Sequence, residues 1–279
     1  MAYGRQRMAK AFSVAAWNVE RFADRAAQNP DRLAFLAEQR PDVLAIFEAV
    51  GKDVWREVMA GFPRYSFFIT EGQNAQEILL GIGPNVTGFL TQKVEFNSRD
   101  TYMRPGAFLT VRAKDANYSL LFLHVASMRD ARGFGLRTDM IDRAFSFKSV
   151  LDEAAGGQAN YMFLGDLNAM GLDYVYGKEG NRLQRVEVEG EHEIARMERE
   201  AARRGMRVLS KNAEFTWRDR SGLRSDLDHV VAADHLQFKR FRGAEVDVRG
   251  WPTEPEAAQV QWTERFSDHA LLYFEVQRI

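Results

Sequence analysis

Short apolar runs rich in Val, Ile, Leu and Phe recur from one end of this sequence to the other, and many stop at an acidic, amide or imidazole residue. Phe12–Trp17, Val43–Phe47, Tyr65–Ile69, Ile78–Ile82, Ala107–Val111 and Ser119–Val125 are followed by Tyr161–Leu164, Asp228–Ala232 and Ala270–Val276. Each is of strand length and bounded by polar or turn residues, so the pattern predicts a β-rich chain with many strands.

Helical patterns lie between some of these runs. Asn29-Pro30 predicts a helix start running to Arg40, because Asn caps free amides and the fixed φ of proline suits a first turn. A second helix is predicted over Asp53–Ala60. From Thr138 to Ala155 the residues Met140, Ile141, Ala144, Phe145, Phe147, Val150 and Leu151 fall roughly on one side, and Gly156-Gly157 ends the pattern. The charged stretch Lys178–Arg204 predicts a solvated helix, about Glu191 to Arg204, with a flexible approach. No linker, repeat or low-complexity tract interrupts the 279 residues, so 1–279 is read as a single domain. The expected architecture is an α+β sandwich of two packed sheets with helices outside them.

Lys plus Arg total 38 against 39 for Asp plus Glu, so any polyanion-binding surface must be local. The absence of Cys removes disulfides, thiolate metal sites and a Cys nucleophile together. Hard oxygens and imidazole remain as ligands, a set that suits magnesium, manganese or calcium. The basic opening MAYGRQRMAKAF turns polar too soon for a secretory segment or a membrane span, which predicts a cytoplasmic protein.

Polar residues gather where apolar runs end: Asn18 and Glu20 after Trp17, Glu48 after Phe47, His124, Asp166 and Asn168 around Leu167, Asp228-His229, and Ser267-Asp268-His269. A sheet presents a site to solvent at such places. Glu48 suits a hard cation, or is simply a strand-end acid facing water. Asp166 and Asn168 share one face of an extended segment and suit holding a water and a phosphoryl oxygen, or form an Asx turn at Gly165. Asp228 suits orienting a neighbouring imidazole. His192 and His235 read as structural or solvated.

Taken in this order, these segments resemble the endonuclease/exonuclease/phosphatase superfamily, the group of deoxyribonuclease I, apurinic endonucleases, neutral sphingomyelinases and inositol polyphosphate phosphatases. The resemblance spans Asn18 to His269 and implies a deoxyribonuclease I-like four-layer α/β sandwich with two mainly antiparallel sheets. It implies Glu48 as principal metal ligand, with Asn18, Asp268 and an auxiliary Glu20. Asp166 would orient or deprotonate water, Asn168 would hold a phosphoryl oxygen, and His269, held by Asp228, would stabilise developing charge alongside His124. Arg104-Pro105 is similar to a strand entry of that group. Phe47-Glu48 replaces the usual Gln-Glu, and the final block reads Ser267-Asp268-His269-Ala270-Leu271 where Ser-Asp-His-x-Pro is commoner.

The resemblance implies a magnesium-dependent (or manganese-dependent) phosphoesterase, with water attacking in line. The loop Ala126–Arg137 carries Arg129, Arg132, Arg137 and Phe134, which suits nucleic acid or is a solvated loop. A nuclease acting on nucleic acid as a monomer is the first expectation. A phosphatase or phosphodiesterase of small metabolites or lipid headgroups is the alternative, and a binding protein that has lost turnover a third.

Overall fold

A computed structural model describes residues 9–22, 26–50, 54–72, 77–97 and 103–278. Its first part contains β1 (Lys10–Asn18), α1 (Asn29–Gln39), β2 (Val43–Ala49), α2 (Val54–Gly61), β3 (Ser66–Ile69), β4 (Glu77–Ile82), β5 (Thr87–Lys93), β6 (Gly106–Ala113) and β7 (Ala116–His124). The long helix α3 (Ala131–Ala155) leads to β8 (Tyr161–Asp166), then β9 (Leu172–Glu179), β10 (Arg182–Val188) and α4 (Gly190–Arg203). The last part holds β11 (Met206–Val208), β12 (Trp217–Arg218), β13 (Arg224–Ser225), β14 (Asp228–Ala233), β15 (Asp247–Arg249), α5 (Glu256–Arg265) and β16 (Leu271–Gln277).

Two six-stranded sheets carry the fold, ordered β15-β16-β1-β2-β4-β3 and β11-β14-β8-β7-β6-β5. Each contains one parallel pair, β1 with β2 and β7 with β8, among antiparallel neighbours. Because alternate side chains of a strand point to opposite faces, β1 sends Phe12, Val14 and Ala16 inward to meet Met162 and Leu164 of β8 between the sheets. Its Ala15 and Trp17 face outward onto Leu33 and Leu36 of α1 and Val54 and Val58 of α2. On the other sheet, Tyr161 and Phe163 face Met140, Ala144 and Phe145 of α3. The sequence is therefore helix, sheet, sheet, helix in depth, and strands covered on both faces read as continuous apolar runs.

The apolar runs named from the sequence all fall on strands of these sheets. Asp53 of the second expected helix lies outside the described residues. Two stretches differ from expectation. Helix α3 begins at Ala131 rather than Thr138, because the Asp130 carboxylate accepts from the Gly133 amide at 2.7 Å and caps a turn that the apolar pattern does not mark. The approach to α4 is the two-stranded hairpin β9–β10 instead of a flexible or helical segment. Strand β5 and helix α5 had no sequence reading; in β5 exposure alternates along an edge strand.

Candidate active site

Strands β1, β7 and β8 end with Asn18, His124 and Asp166, and β2 carries Glu48 next to its last residue. Strands β14 and β16 run antiparallel to β8 and β1, so they begin where their partners end and contribute Asp228 and the preceding His269. Register fixes this neighbourhood: Asp166 lies opposite His124 on one side and Asp228 on the other. Residues far apart in the chain thus meet at one edge of the sandwich.

Tight backbone conformations concentrate here. Among the described residues seven without a glycine side chain have positive φ, and Glu20, Arg21, Glu48 and Asn168 are four of them. Glu48 has φ 59° where the β2–β4 register slips between Phe47 and Ala49, a bulge that re-aims one side chain. Hydrogen bonds hold these turns. Glu48 Oε2 accepts from the Arg21 amide at 3.0 Å, Asn18 Oδ1 from Glu20 at 3.0 Å, and Asp166 Oδ1 from Asn168 at 3.2 Å. At Gly165, φ is 136° and a Cβ would lie 2.1 Å from the Leu123 carbonyl oxygen, so glycine is required.

Around Asp166 the polar groups form a connected set. Asn18 Nδ2 donates to Asp166 Oδ2 at 2.9 Å, joining the two sheets, and His124 Nε2 lies 3.4 Å from the same oxygen. His269 Nδ1 pairs with Asp228 Oδ2 at 2.9 Å, and its Nε2 is 3.8 Å from Asp166. The Asp228 and Leu227 amides donate to Thr216 Oγ1, which steadies that carboxylate.

Environment sends the two imidazoles lining the cavity, His124 and His269, in opposite directions. Burial, then the charges of Arg104 and His269, pushes His124 well below its ordinary pKa, so it is neutral. Burial opposes charge on His269 as well, but Asp228 and Asp166 outweigh it and raise the pKa well above the ordinary value. For Asp166, burial combines with the negative charges of Asp228 and Glu48 to raise the pKa to about 7, against the lowering influence of His269 and Asn18. An acid so placed accepts a proton near neutrality.

A cavity of about 300 Å³ collects Asn18, Glu48, His124, Asp166, Asn168 and His269, with Arg129 at its rim. One wall is apolar: Met170, Trp217, Leu223 and Leu227. Sequence reasoning missed this wall; Phe215-Thr216-Trp217 was a short apolar signal without a strand-length run to mark it. The expected metal side is divided. Glu20 and Asp268 line a separate cavity of about 160 Å³ with Arg218 and Arg220.

The four expected arginines also separate. Arg104 is deeply placed beside Glu48, Asp166 and Glu77, and Arg132 is exposed on the first turn of α3. Arg137 corrects the sequence reading. It is fully buried, donates to the carbonyls of Ala126 and Met128 and to Gly171, and pairs with Glu193 at 3.0 Å, so it ties the loop together instead of meeting a phosphate. His192 is exposed, and His235 Nε2 meets Asn160 Oδ1 at 2.9 Å.

The donors present fit a hard divalent cation. Carboxylates of Asp166, Asp228 and Glu48 crowd one edge, and their repulsion adds to burial in lifting Asp166. A cation relieves that repulsion, and Glu48, Asn18 and Asp166 offer oxygens for it. Asp166, Asp228 and His269 also have ligand atoms within 4.8 Å of one another. His269 Nδ1 is already committed to Asp228, however, which makes that trio a charge-sharing group more than a cage.

No protein-family model matches the sequence, and a search of curated proteins finds no match. Solved structures do match. The D. rerio TDP2 complexed with single strand DNA product is 15% identical, with TM-score 0.65, covering 96% of this chain and 99% of that one. The 3'-5' exonuclease NExo from Neisseria meningitidis is 16% identical with TM-score 0.63, covering 95% and 100%. An endonuclease/exonuclease/phosphatase family protein from Bacteroides thetaiotaomicron is 14% identical with TM-score 0.60, covering 96% and 98%. At such identities the likeness is one of fold: this chain has the endonuclease/exonuclease/phosphatase fold, the deoxyribonuclease I-like sandwich expected from the sequence.

Proposed function

We propose that this protein is a divalent-metal-dependent phosphoesterase, and specifically a nuclease that hydrolyses nucleic-acid phosphodiester bonds. The observation carrying this reading is the set Asp166, Asn168 and His269–Asp228 converging on one cavity with Glu48 and Asn18. The Asp166 carboxylate, with its raised pKa, takes a proton from an attacking water. Asn168 keeps its amide at the cavity, with one N–H on the Val125 carbonyl at 3.2 Å and a second for a phosphoryl oxygen. The His269 imidazolium, charged by Asp228, donates to a non-bridging oxygen as negative charge develops. A divalent cation, magnesium or manganese, would be held by Glu48 and Asn18 with Asp268 nearby, and when bound neutralises phosphate charge and favours the leaving oxygen.

Three observations support nucleic acid over a small ester: Arg129 at the rim, TDP2 solved with single strand DNA product, and the 3' phosphatase NExo solved bound to product DNA hairpin. One observation favours the alternative. The apolar wall of a cavity of only about 300 Å³ suits a compact phosphorylated metabolite or lipid headgroup.

The test is hydrolysis of a panel in magnesium, manganese or EDTA: supercoiled plasmid, single-stranded DNA and RNA, inositol phosphates and sphingomyelin. The expected result is metal-dependent nucleic-acid cleavage that falls by orders of magnitude in His269→Ala, with the circular dichroism of the folded chain retained. Intact nucleic acids beside a cleaved small ester would put the alternative first. No turnover of any ester would overturn both.

A further inference from the structure

We infer that Trp217 is a positioning residue for Asp268 and, through it, for a bound divalent cation; this rests on the metal-dependent reading above. Trp217 Nε1 donates to Asp268 Oδ2 at 2.8 Å. The contact is built into the backbone, because β12 is laced along the segment that carries Asp268: Arg218 donates its amide to the Asp268 carbonyl at 3.0 Å, Ala270 donates to the Thr216 carbonyl at 2.7 Å, and Trp217 bridges His269.

An indole nitrogen is a donor only, so it can serve only a lone pair, and here it fixes both the orientation of Asp268 and its role as an acceptor. The other oxygen is left for a different partner. Ser267 Oγ approaches Asp268 Oδ1 at 3.4 Å, but its single proton goes to the Asn18 carbonyl at 2.7 Å, and it accepts from the His269 amide at 3.2 Å. Oδ1 therefore keeps its lone pairs, which suits a hard cation, and the same hydroxyl ties Asp268 to Asn18. The indole ring also forms part of the catalytic cavity wall. One side chain thus links that wall to an oxygen on the metal side. A donor that orients a ligating carboxylate in this way strengthens metal binding without touching the metal.

Trp217→Phe keeps the ring and removes the N–H. Calorimetric titration of the full chain with Mn2+ should show the dissociation constant rise about tenfold, the lower end for lost outer-shell partners of metal ligands. Asp268→Asn should show a loss at least as large, and the double variant no more than the larger single one. Wild-type affinity retained in Trp217→Phe, or losses that multiply, would overturn the inference while leaving the phosphoesterase reading in place. A wild-type protein that binds no Mn2+ would defeat both. Should Trp217→Phe not fold, Mg2+ titration of the 15N-labelled wild type decides: the Trp217 indole resonance moves with binding, and an unmoved resonance at saturation overturns the inference.

Discussion

Asp166 shows why this site is costly to the fold that carries it. Its carboxylate is buried among Asp228 and Glu48, and the pKa of about 7 compares with 3.8 for the ordinary side chain. Sign follows from that order. Below the ordinary pKa both folded and unfolded chains are protonated there; between 3.8 and about 7 the folded chain alone keeps its proton, so stability falls across that window and levels off above it. Asp166→Asn should accordingly melt several degrees higher than wild type at pH 8 in EDTA, with the gain shrinking as pH falls towards 4, while turnover collapses. Equal melting temperatures at pH 8 would mean that the carboxylate is not under the burial and repulsion described.

Among the elements, α3 and the β9–β10 hairpin meet at Arg137. Its guanidinium holds Ala126, Met128 and Gly171 carbonyls and the Glu193 carboxylate of α4, all in a buried setting. Glu193 also accepts from the Gly171 amide at 2.6 Å. Removing one partner strands the other without water, so Arg137→Met should cost about 3–5 kcal/mol in chemical denaturation. Hydrogen exchange should quicken first at Gly171 and the start of α4. A small change spread evenly over the chain would contradict the latch.

For the whole molecule the relevant fact is that one core joins both sheets and ends beneath the site. Phe47 is buried in that core, lies edge-on to the His124 ring at 6.2 Å, and would be 2.8 Å from a Cβ at Gly165. Phe47→Ala should therefore lose about 3–5 kcal/mol of stability through the cavity it leaves. It should also lower kcat more than it raises KM, because the strand ends that place His124 and Asp166 relax together. Unchanged kcat in the folded fraction would show that the ends hold their geometry without this packing.

The strands were legible because burial on both faces demands unbroken apolar runs, and the polar residues closing them, Asn18, Glu48, His124, Asp166 and His269, stood out by contrast. The α+β class was accessible from that pattern, and the deoxyribonuclease I-like sandwich from the family resemblance that the polar blocks carry. Other features depend on contacts between distant segments. The cap at Asp130 turned an expected arginine loop into helix, and three carbonyls took Arg137 inward. Charged residues of 172–188 paired across a hairpin, which local periodicity does not encode. Sheet register decided that Asp228 pairs with His269 Nδ1 while Asp166 faces its Nε2, and the fold set Glu20 and Asp268 along a second cavity. The apolar wall around Trp217 came from a two-residue strand and from Met170, Leu223 and Leu227 in connecting segments, too short to leave a period. Residue types and their placement at strand ends were local properties of the sequence, whereas charge state, partner and cavity arose only when both sheets closed, since each is a sum over neighbours that the chain order does not adjoin.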